Sequence, residues 1–282
     1  MTTPLLEPMT VGGILDRTFR LYRENVLRYI AIVAVIEIPI GLVLMVASAL
    51  FYSSIMPGRE AADDPARPNV ALMLGGSAAL MFGAFLSVIG QHLANAALIR
   101  SVSESYLGGD ATVGQAYRFI LPRIGWLLLA ALLVSLATGV GLLFCVVPGV
   151  LLALFFGLTM PAIVTENLNT FDGMKRSWSL VSGNLGKVFL VSLIVFLINF
   201  VISALFGAVG SLTAVLALAK NPVAGQVLQQ TISVVPQILT MPIGAAAMIL
   251  LYYDLRIRKE GFDLEMLARS LGEGGATDAP RA

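Results

Sequence analysis

Six long apolar runs constrain what this chain can fold into more than any other feature. The first extends from Tyr29 to Met56. About 20 apolar residues, at a rise of about 1.5 Å each, cover the roughly 30 Å hydrocarbon core of a bilayer. Hydrophobic residues make up 57% of the chain and charged residues 12%, so lipid must cover the excess apolar surface. The sequence predicts an all-α, polytopic integral membrane helix bundle.

The predicted spans divide the chain into three parts. Residues 1–28 form an interfacial amphipathic segment, residues 29–253 the membrane domain, and residues 254–282 a cytoplasmic tail that is disordered at its end. A turn at Val147-Pro148-Gly149 is too short and apolar for a water-exposed loop, which predicts a tight hairpin. The six transmembrane helices are expected at about 29–52, 70–99, 124–147, 149–166, 188–218 and 225–253.

The positions of the basic residues predict the orientation of these spans. Fifteen of the 18 Lys and Arg residues fall on the side of the two termini, while Arg59, Arg67 and Lys220 fall on the other. Cytoplasmic loops carry such an excess of Lys and Arg. Both termini are therefore expected in the cytoplasm of a bacterial cell, with the chain in the inner membrane.

The chain also shows signs of internal repetition. Thr10, Thr112 and Thr170 each precede a short amphipathic stretch and are predicted to be helix N-caps, the second with Gln115 in a capping box. Each stretch is followed by a pair of apolar runs. The tetrapeptide Leu-Thr-Met-Pro occurs at 158–161 and again at 239–242. This pattern predicts three pseudo-repeated units, each an interfacial amphipathic helix followed by a transmembrane hairpin.

Basic residues on the three amphipathic stretches are candidate contacts for anionic lipid. Apolar residues recur there at spacings of three and four, which is typical of helices that lie along a membrane surface. Basic residues near the surface each attract anionic lipid by about 1 kcal/mol. The alternative is that they only set the orientation of the chain. The candidates are Arg17, Arg20, Arg23, Arg118, Lys175 and Arg176.

Polar residues inside the first two spans form a second candidate site. Glu37 and His92 are expected at similar depth in antiparallel helices, and Gln91 and Asn95 flank the histidine. Ionisable groups in hydrocarbon usually face the bundle interior or a cavity. The group could relay protons, since a histidine side chain can change its charge near neutral pH, or it could only hold the first hairpin together. One histidine and a lone cysteine, Cys145, leave the usual metal-ligand sets unfilled.

Two motifs resemble a known family. The segments Thr-Val-Gly-Gly-Ile-Leu-Asp-Arg-Thr-Phe-Arg-Leu-Tyr-Arg-Glu-Asn at 10–25 and Lys-Arg-Ser-Trp-Ser-Leu-Val-Ser-Gly-Asn at 175–184 are similar to the membrane domain of bacterial glycerophosphoryl diester phosphodiesterases and its stand-alone relatives. The resemblance extends over about residues 10–260 and implies a multi-helix membrane module. In the full enzymes this module precedes a soluble hydrolase domain, for which the roughly 29 residues after the last span are too few.

The sequence therefore favours a non-catalytic membrane module that organises lipids or protein partners. No catalytic residue is carried over from the resemblance. The glycine pairs at 12–13 and 108–109 lack the pattern of a phosphate loop, and no cofactor or metal is expected. The expected partners are membrane lipids and a protein partner or second copy of the chain, not nucleic acid. The alternative is a small transporter or channel that uses the Glu37 and His92 region.

Overall fold

A computed structural model describes residues 8–55, 70–218 and 222–261 of the chain. Within these residues the protein is all-helical, as the sequence predicts. The predicted disorder at the end of the tail falls on residues 262–282, which lie outside this part. The α-helices in chain order are α1 (Val11–Glu24), α2 (Val26–Ile55), α3 (Val70–Tyr106), α4 (Val113–Ile120), α5 (Ile124–Phe144), α6 (Val146–Phe156), α7 (Thr159–Glu166), α8 (Thr170–Val181), α9 (Leu185–Leu218) and α10 (Pro222–Glu260).

Six helical stretches among the described residues are long and apolar enough to cross a membrane, which agrees with the predicted number of spans. The observed stretches begin or end several residues beyond most predicted ones, because polar residues continue the helices past the apolar runs. The second extends to Tyr106 rather than to about residue 99, and the sixth to Glu260 rather than to about residue 253. The stretches are Val26–Ser53, Met73–Tyr106, Val113–Phe144, Val146–Glu166, Leu185–Thr213 and Val227–Glu260.

The third and fourth spans meet in a turn that the sequence analysis placed slightly too late. The turn lies at Cys145, whose backbone is extended, and α6 already begins at Val146. Pro148 is therefore a residue of the first turn of α6 rather than of a loop. Proline is tolerated there because the first N–H groups of a helix have no partner within the helix.

The fourth span is broken, which corrects the prediction of one continuous helix. Helix α6 ends at Phe156 and α7 begins at Thr159. Ser177 of α8 bridges the break: its hydroxyl donates to the carbonyl of Phe155 at 2.6 Å and accepts the N–H of Leu158 at 3.1 Å. These bonds matter because water is absent from the hydrocarbon core, where an unpaired backbone group costs several kcal/mol.

The predicted N-caps are correct at two of the three short helices. The Thr10 hydroxyl accepts the N–H of Gly13 at 3.1 Å, and Thr112 forms the predicted capping box with Gln115. The prediction for Thr170 is wrong. Asn169 caps α8 by accepting the N–H of Asp172, while Thr170 is buried and donates to the carbonyl of Trp126 at 2.7 Å.

Glycines allow close packing within the first two transmembrane hairpins. On α3, three glycines at seven-residue spacing face α2; these are Gly76, Gly83 and Gly90. In the second hairpin, a Cβ atom on Gly141 would lie 2.8 Å from the Cα of Gly149, so the backbones of α5 and α6 touch. Small residues bring membrane helices together in this way because van der Waals contact drives their association.

The buried core lies toward one end of the bundle. It is formed by α1, α4, α7 and α8, the first turns of α2, α5 and α9, and the last turns of α3, α6 and α10. Helix α1 buries Ile14, Thr18 and Leu21 against this assembly, and α4 is attached to α2 by a hydrogen bond from the Tyr117 hydroxyl to the carbonyl of Ile32 at 2.6 Å. We call this region the charged end, because most of the observed ion pairs lie there.

Replacement of Gly141 by alanine tests the packing of the second hairpin. We expect Gly141→Ala to lower the free energy of unfolding by about 1–3 kcal/mol, because the added methyl group collides with the backbone of Gly149. Gly139→Ala is the matched control, since no atom lies within 4 Å of its Cβ position. The control should stabilise the helix by up to about 1 kcal/mol. Unfolding in mixed detergent micelles measures both, and equal effects would contradict the packing.

Candidate functional site

Asp254 lies at the centre of the charged end. The side chain is fully buried. One carboxylate oxygen accepts the backbone N–H of Met9 at 2.7 Å, and the other pairs with the Lys187 ammonium and with Nε of Arg258. Lys187 and Arg258 also donate to the Met9 carbonyl, at 2.6 and 2.8 Å. Asp254 therefore joins the segment before α1 to α9 and α10.

Glu166 forms a second ionic cluster at the end of α7. The guanidinium of Arg176 on α8 reaches both Glu166 oxygens at 2.9–3.0 Å and also pairs with Glu260 of α10. The Tyr252 hydroxyl donates to Glu166, and Arg256 lies 3.4 Å from it. Three helices are thereby joined. Glu166 and Asp254 thus both pair with basic residues near the ends of their helices.

The carboxylates around Arg176 fix its charge. Its hydrogen bond with Glu260 raises the pKa of the Arg176 guanidinium above its ordinary value. Glu166 raises this pKa further, while burial acts in the opposite direction. Arginine is already charged at any physiological pH. Arg176 is therefore a permanent cation whose donors are directed into the protein.

The six candidate lipid contacts divide into two groups. Arg176 is held by Glu166 and Glu260, and Arg17 is half-buried with its guanidinium 5.5 Å from the centre of the Tyr106 ring. The other four are exposed and have no ion-pair partner within the described residues. They are Arg20 and Arg23 on α1, Arg118 on α4 and Lys175 on α8. Helices α1, α4 and α8 thus each present at least one exposed cation that has no ion-pair partner in the described part of the chain.

Glu37 is hydrogen-bonded to α10 rather than to His92 of α3. Glu37 is 5% exposed, and its carboxylate accepts Nε2 of Gln237 on α10 at 2.9 Å. No hydrogen bond or ion pair joins Glu37 to His92, although the structure describes both residues, and Gln91 is half-buried without a bond to Glu37. Helix α10 as well as α3 packs against α2, which brings Gln237 to Glu37.

Asn95, the fourth member of that predicted site, lines a different cavity. This cavity of about 290 Å³ lies between α3, α7, α9 and α10, and Asn199 and Thr240 also line it. Sequence reasoning did not predict it. The repeated Leu-Thr-Met-Pro tetrapeptide was the available signal, because both copies contribute to the lining, one through Met160 and Pro161 and the other through Thr240 and Met241.

Metal-ligating side chains do not cluster in the described part of the chain. Across residues 8–55, 70–218 and 222–261, no three His, Cys, Asp or Glu residues are placed to hold a metal ion. The two carboxylate clusters are occupied by Lys, Arg and Tyr side chains or backbone N–H groups instead. The charged end therefore holds helices together and presents the four exposed cations named above.

The fold and its site define a class: a six-span helical membrane protein whose short helices assemble at one end. Comparison with known proteins gives the family. Residues 110–255 match the model of a domain of unknown function, DUF7847. This match covers more than half of the chain, and the protein belongs to that family.

One bacterial relative supports the membrane assignment. The chain is 33% identical over 107 residues to a UPF0259 membrane protein of Pectobacterium carotovorum subsp. carotovorum. The matched part is 36% of this chain and 41% of the relative, so the chain spans less than half of the relative's length. No solved structure matches the chain. The link to phosphodiesterase membrane domains stays a prediction.

Replacement of Asp254 tests whether the buried carboxylate holds the charged end together. We expect Asp254→Asn to lower the free energy of unfolding by about 3–5 kcal/mol, because Lys187 and Arg258 lose their common counter-charge in a buried setting. Asp110→Asn is the matched control, because its side chain is 84% exposed and pairs with Arg28 at the surface. That change should cost less than about 1 kcal/mol. Equal effects in detergent unfolding would show that the Asp254 cluster is not structural.

Proposed function

We propose that this protein is a non-catalytic membrane module that organises anionic lipids around its charged end in the bacterial inner membrane. The observation that carries the proposal is the arrangement of α1, α4 and α8. Each buries one face in the bundle and presents exposed, unpaired cations on another. The cations are Arg20, Arg23, Arg118 and Lys175.

The internal ion pairs explain why these cations are available. The exposed acidic residues nearest in sequence, such as Asp16 and Glu24, form no ion pair with them. The half-buried Glu166 and the buried Asp254 are already neutralised by Arg176 and Lys187. The four exposed cations therefore retain their charge for an external partner, and phosphate-bearing head groups provide the complementary charge.

The orientation and the repeat belong to the same proposal. With the charged end in the cytoplasm, its cations lie at the leaflet where basic segments meet anionic lipid. A short helix precedes each transmembrane pair, at α1, α4 and α8. This order supports three related units in which each surface helix serves its own hairpin. A non-catalytic module also agrees with the resemblance to phosphodiesterase membrane domains, where the hydrolase is a separate domain.

The transporter alternative has less support from the geometry. It needs Glu37 and His92 to act together, whereas Glu37 bonds to Gln237. The Gln237 amide on α10 donates a hydrogen bond to the Glu37 carboxylate on α2, so this pair joins two helices. Polar groups in membrane helices usually have this role.

Removal of the four exposed cations tests the lipid proposal. We expect the combined variant Arg20→Gln, Arg23→Gln, Arg118→Gln and Lys175→Gln to lose its preference for phosphatidylglycerol over phosphatidylethanolamine by about tenfold or more, given roughly 1 kcal/mol per basic residue. Native mass spectrometry of the detergent-purified chain measures the ratio of the two bound lipids.

The control removes cations that the charge bias places on the other side of the membrane. Arg59→Gln, Arg67→Gln and Lys220→Gln together should leave the lipid ratio within about twofold of that of the unmodified chain. The reason is that the proposed topology places those residues on the side of the membrane opposite the charged end. A quadruple variant that still prefers phosphatidylglycerol, or a control that loses the preference equally, would refute the proposed site.

A further inference from the structure

The cavity between α3, α7, α9 and α10 has the features of a built binding site. Its volume of about 290 Å³ is close to the roughly 300 Å³ at which small-molecule pockets begin. It lies at the break in the fourth span, next to Gly157 and opposite the second Leu-Thr-Met-Pro copy on α10. The side chains that define its chemistry are Asn95, Met160, Asn199, Thr240, Met241 and Met248.

Polar groups without partners face this cavity. Thr240 is 4% exposed, and within the described residues its hydroxyl forms no hydrogen bond. The same holds for the side-chain amide of Asn95. Asn199 donates one N–H to the carbonyl of Val195 at 2.8 Å, which leaves its own carbonyl oxygen without a partner. Unpaired polar groups in a membrane interior cost free energy, and a ligand that pairs with them recovers it.

The lining selects an uncharged ligand. None of the residues that line the cavity is charged, and burying an ion without a counter-charge is far more costly than burying a neutral polar group. Asn95 and Thr240 offer donors as well as acceptors, so a hydroxyl group, which is both, complements them. Met160, Met241 and Met248 add flexible apolar surface that adapts to an alkyl chain.

The position of the cavity indicates that the ligand arrives from the bilayer. On α10, Thr240 precedes Asp254 by fourteen residues and Met248 precedes it by six, which places the cavity about 9–21 Å from the charged end at a rise of about 1.5 Å per residue. Met160, Asn199 and Gly244 in its wall are only half-buried. The cavity is therefore partly open at a depth where lipid surrounds the bundle.

We propose that this cavity binds the hydroxyl-bearing end of an uncharged glycerolipid, of the monoacylglycerol or diacylglycerol class. The Thr240 hydroxyl and the Asn95 amide bond to the glycerol hydroxyl, the Asn199 carbonyl accepts a further hydrogen bond, and the methionines contact the first methylene groups of the acyl chain. The inference goes beyond the proposed contact with anionic head groups and stands without it, because the two sites share no residue.

Photolabelling of the full chain tests this site. The probe is a monoacylglycerol with a diazirine in its acyl chain, added to the chain in phosphatidylcholine nanodiscs, with mass spectrometry to locate the adducts. We expect adducts in the peptides that contain Met160, Met241 and Met248. Unlabelled monooleoylglycerol should displace the probe, whereas methyl oleate, which has no hydroxyl, and phosphatidylglycerol should not.

Two threonine variants provide the matched comparison. Thr240→Val keeps the shape and removes the hydroxyl, and we expect the apparent affinity for the probe to fall about tenfold. Thr159→Val is the control, because Thr159 occupies the same place in the other tetrapeptide and is buried without a partner, yet it does not line the cavity. It should label as the unmodified chain does.

A cavity-filling variant gives an independent readout. A Cβ on Gly244 would have no atom closer than 3.8 Å, so Gly244→Leu can extend into the space and should abolish the specific adducts while thermal unfolding shows a folded chain. The proposal is overturned if the unmodified chain gives no specific adducts, if Thr240→Val and Thr159→Val label equally, or if methyl oleate competes as well as monooleoylglycerol. If the cation variant loses its preference for anionic lipid while this labelling stays intact, the result concerns only the anionic-lipid site on α1, α4 and α8.

Discussion

Hydrocarbon is the solvent for most of this chain, and this constraint determines where its charges lie. An unpaired ion inside the membrane is expensive, so the charged residues gather beyond the apolar runs, where α1, α8 and the last turns of α10 meet. There, the buried Asp254 and the half-buried Glu166 each pair with cations. Breaking such a buried pair is costly because the remaining charge is left without a counter-charge and away from water. These clusters hold the short helices in place.

The break in the fourth span connects this assembly with the membrane interior. Ser177 of α8 satisfies the backbone groups of Phe155 and Leu158 that the break releases. The same helix contributes Arg176 to the Glu166 cluster. Helix α8 therefore fixes both the end of the bundle and the start of α7, which borders the cavity.

Local sequence patterns predicted local structure well. The apolar runs predicted six spans, because bilayer thickness sets helix length. Thr10 and Thr112 cap their helices as predicted, since a capping bond joins residues three apart. Asn169 displaced Thr170 because the threonine hydroxyl bonds to Trp126 instead. That contact between α8 and α5 depends on packing, which no pattern along the chain encodes.

The candidate sites show the same limit. The cations of α1, α4 and α8 were predictable from their amphipathic spacing, but the engagement of Arg176 with Glu260 joins residues 84 positions apart. Glu37 and Gln237 are 200 positions apart, and the sequence indicated only that His92 lies at a similar depth to Glu37. The cavity combines four helices. Only the repeated tetrapeptide pointed to it, and its meaning depended on which helices pack together.

The most direct test of this account asks whether the charged end faces the cytoplasm. In a chain with Cys145→Ser, single cysteines are introduced by Lys175→Cys on α8 and, separately, by Arg59→Cys between the first two spans. A membrane-impermeant maleimide is then applied to bacterial cells before and after lysis. The account predicts that the thiol at position 59 reacts in intact cells, while the thiol at position 175 reacts only after lysis. The reverse pattern, or reaction of both in intact cells, would contradict it.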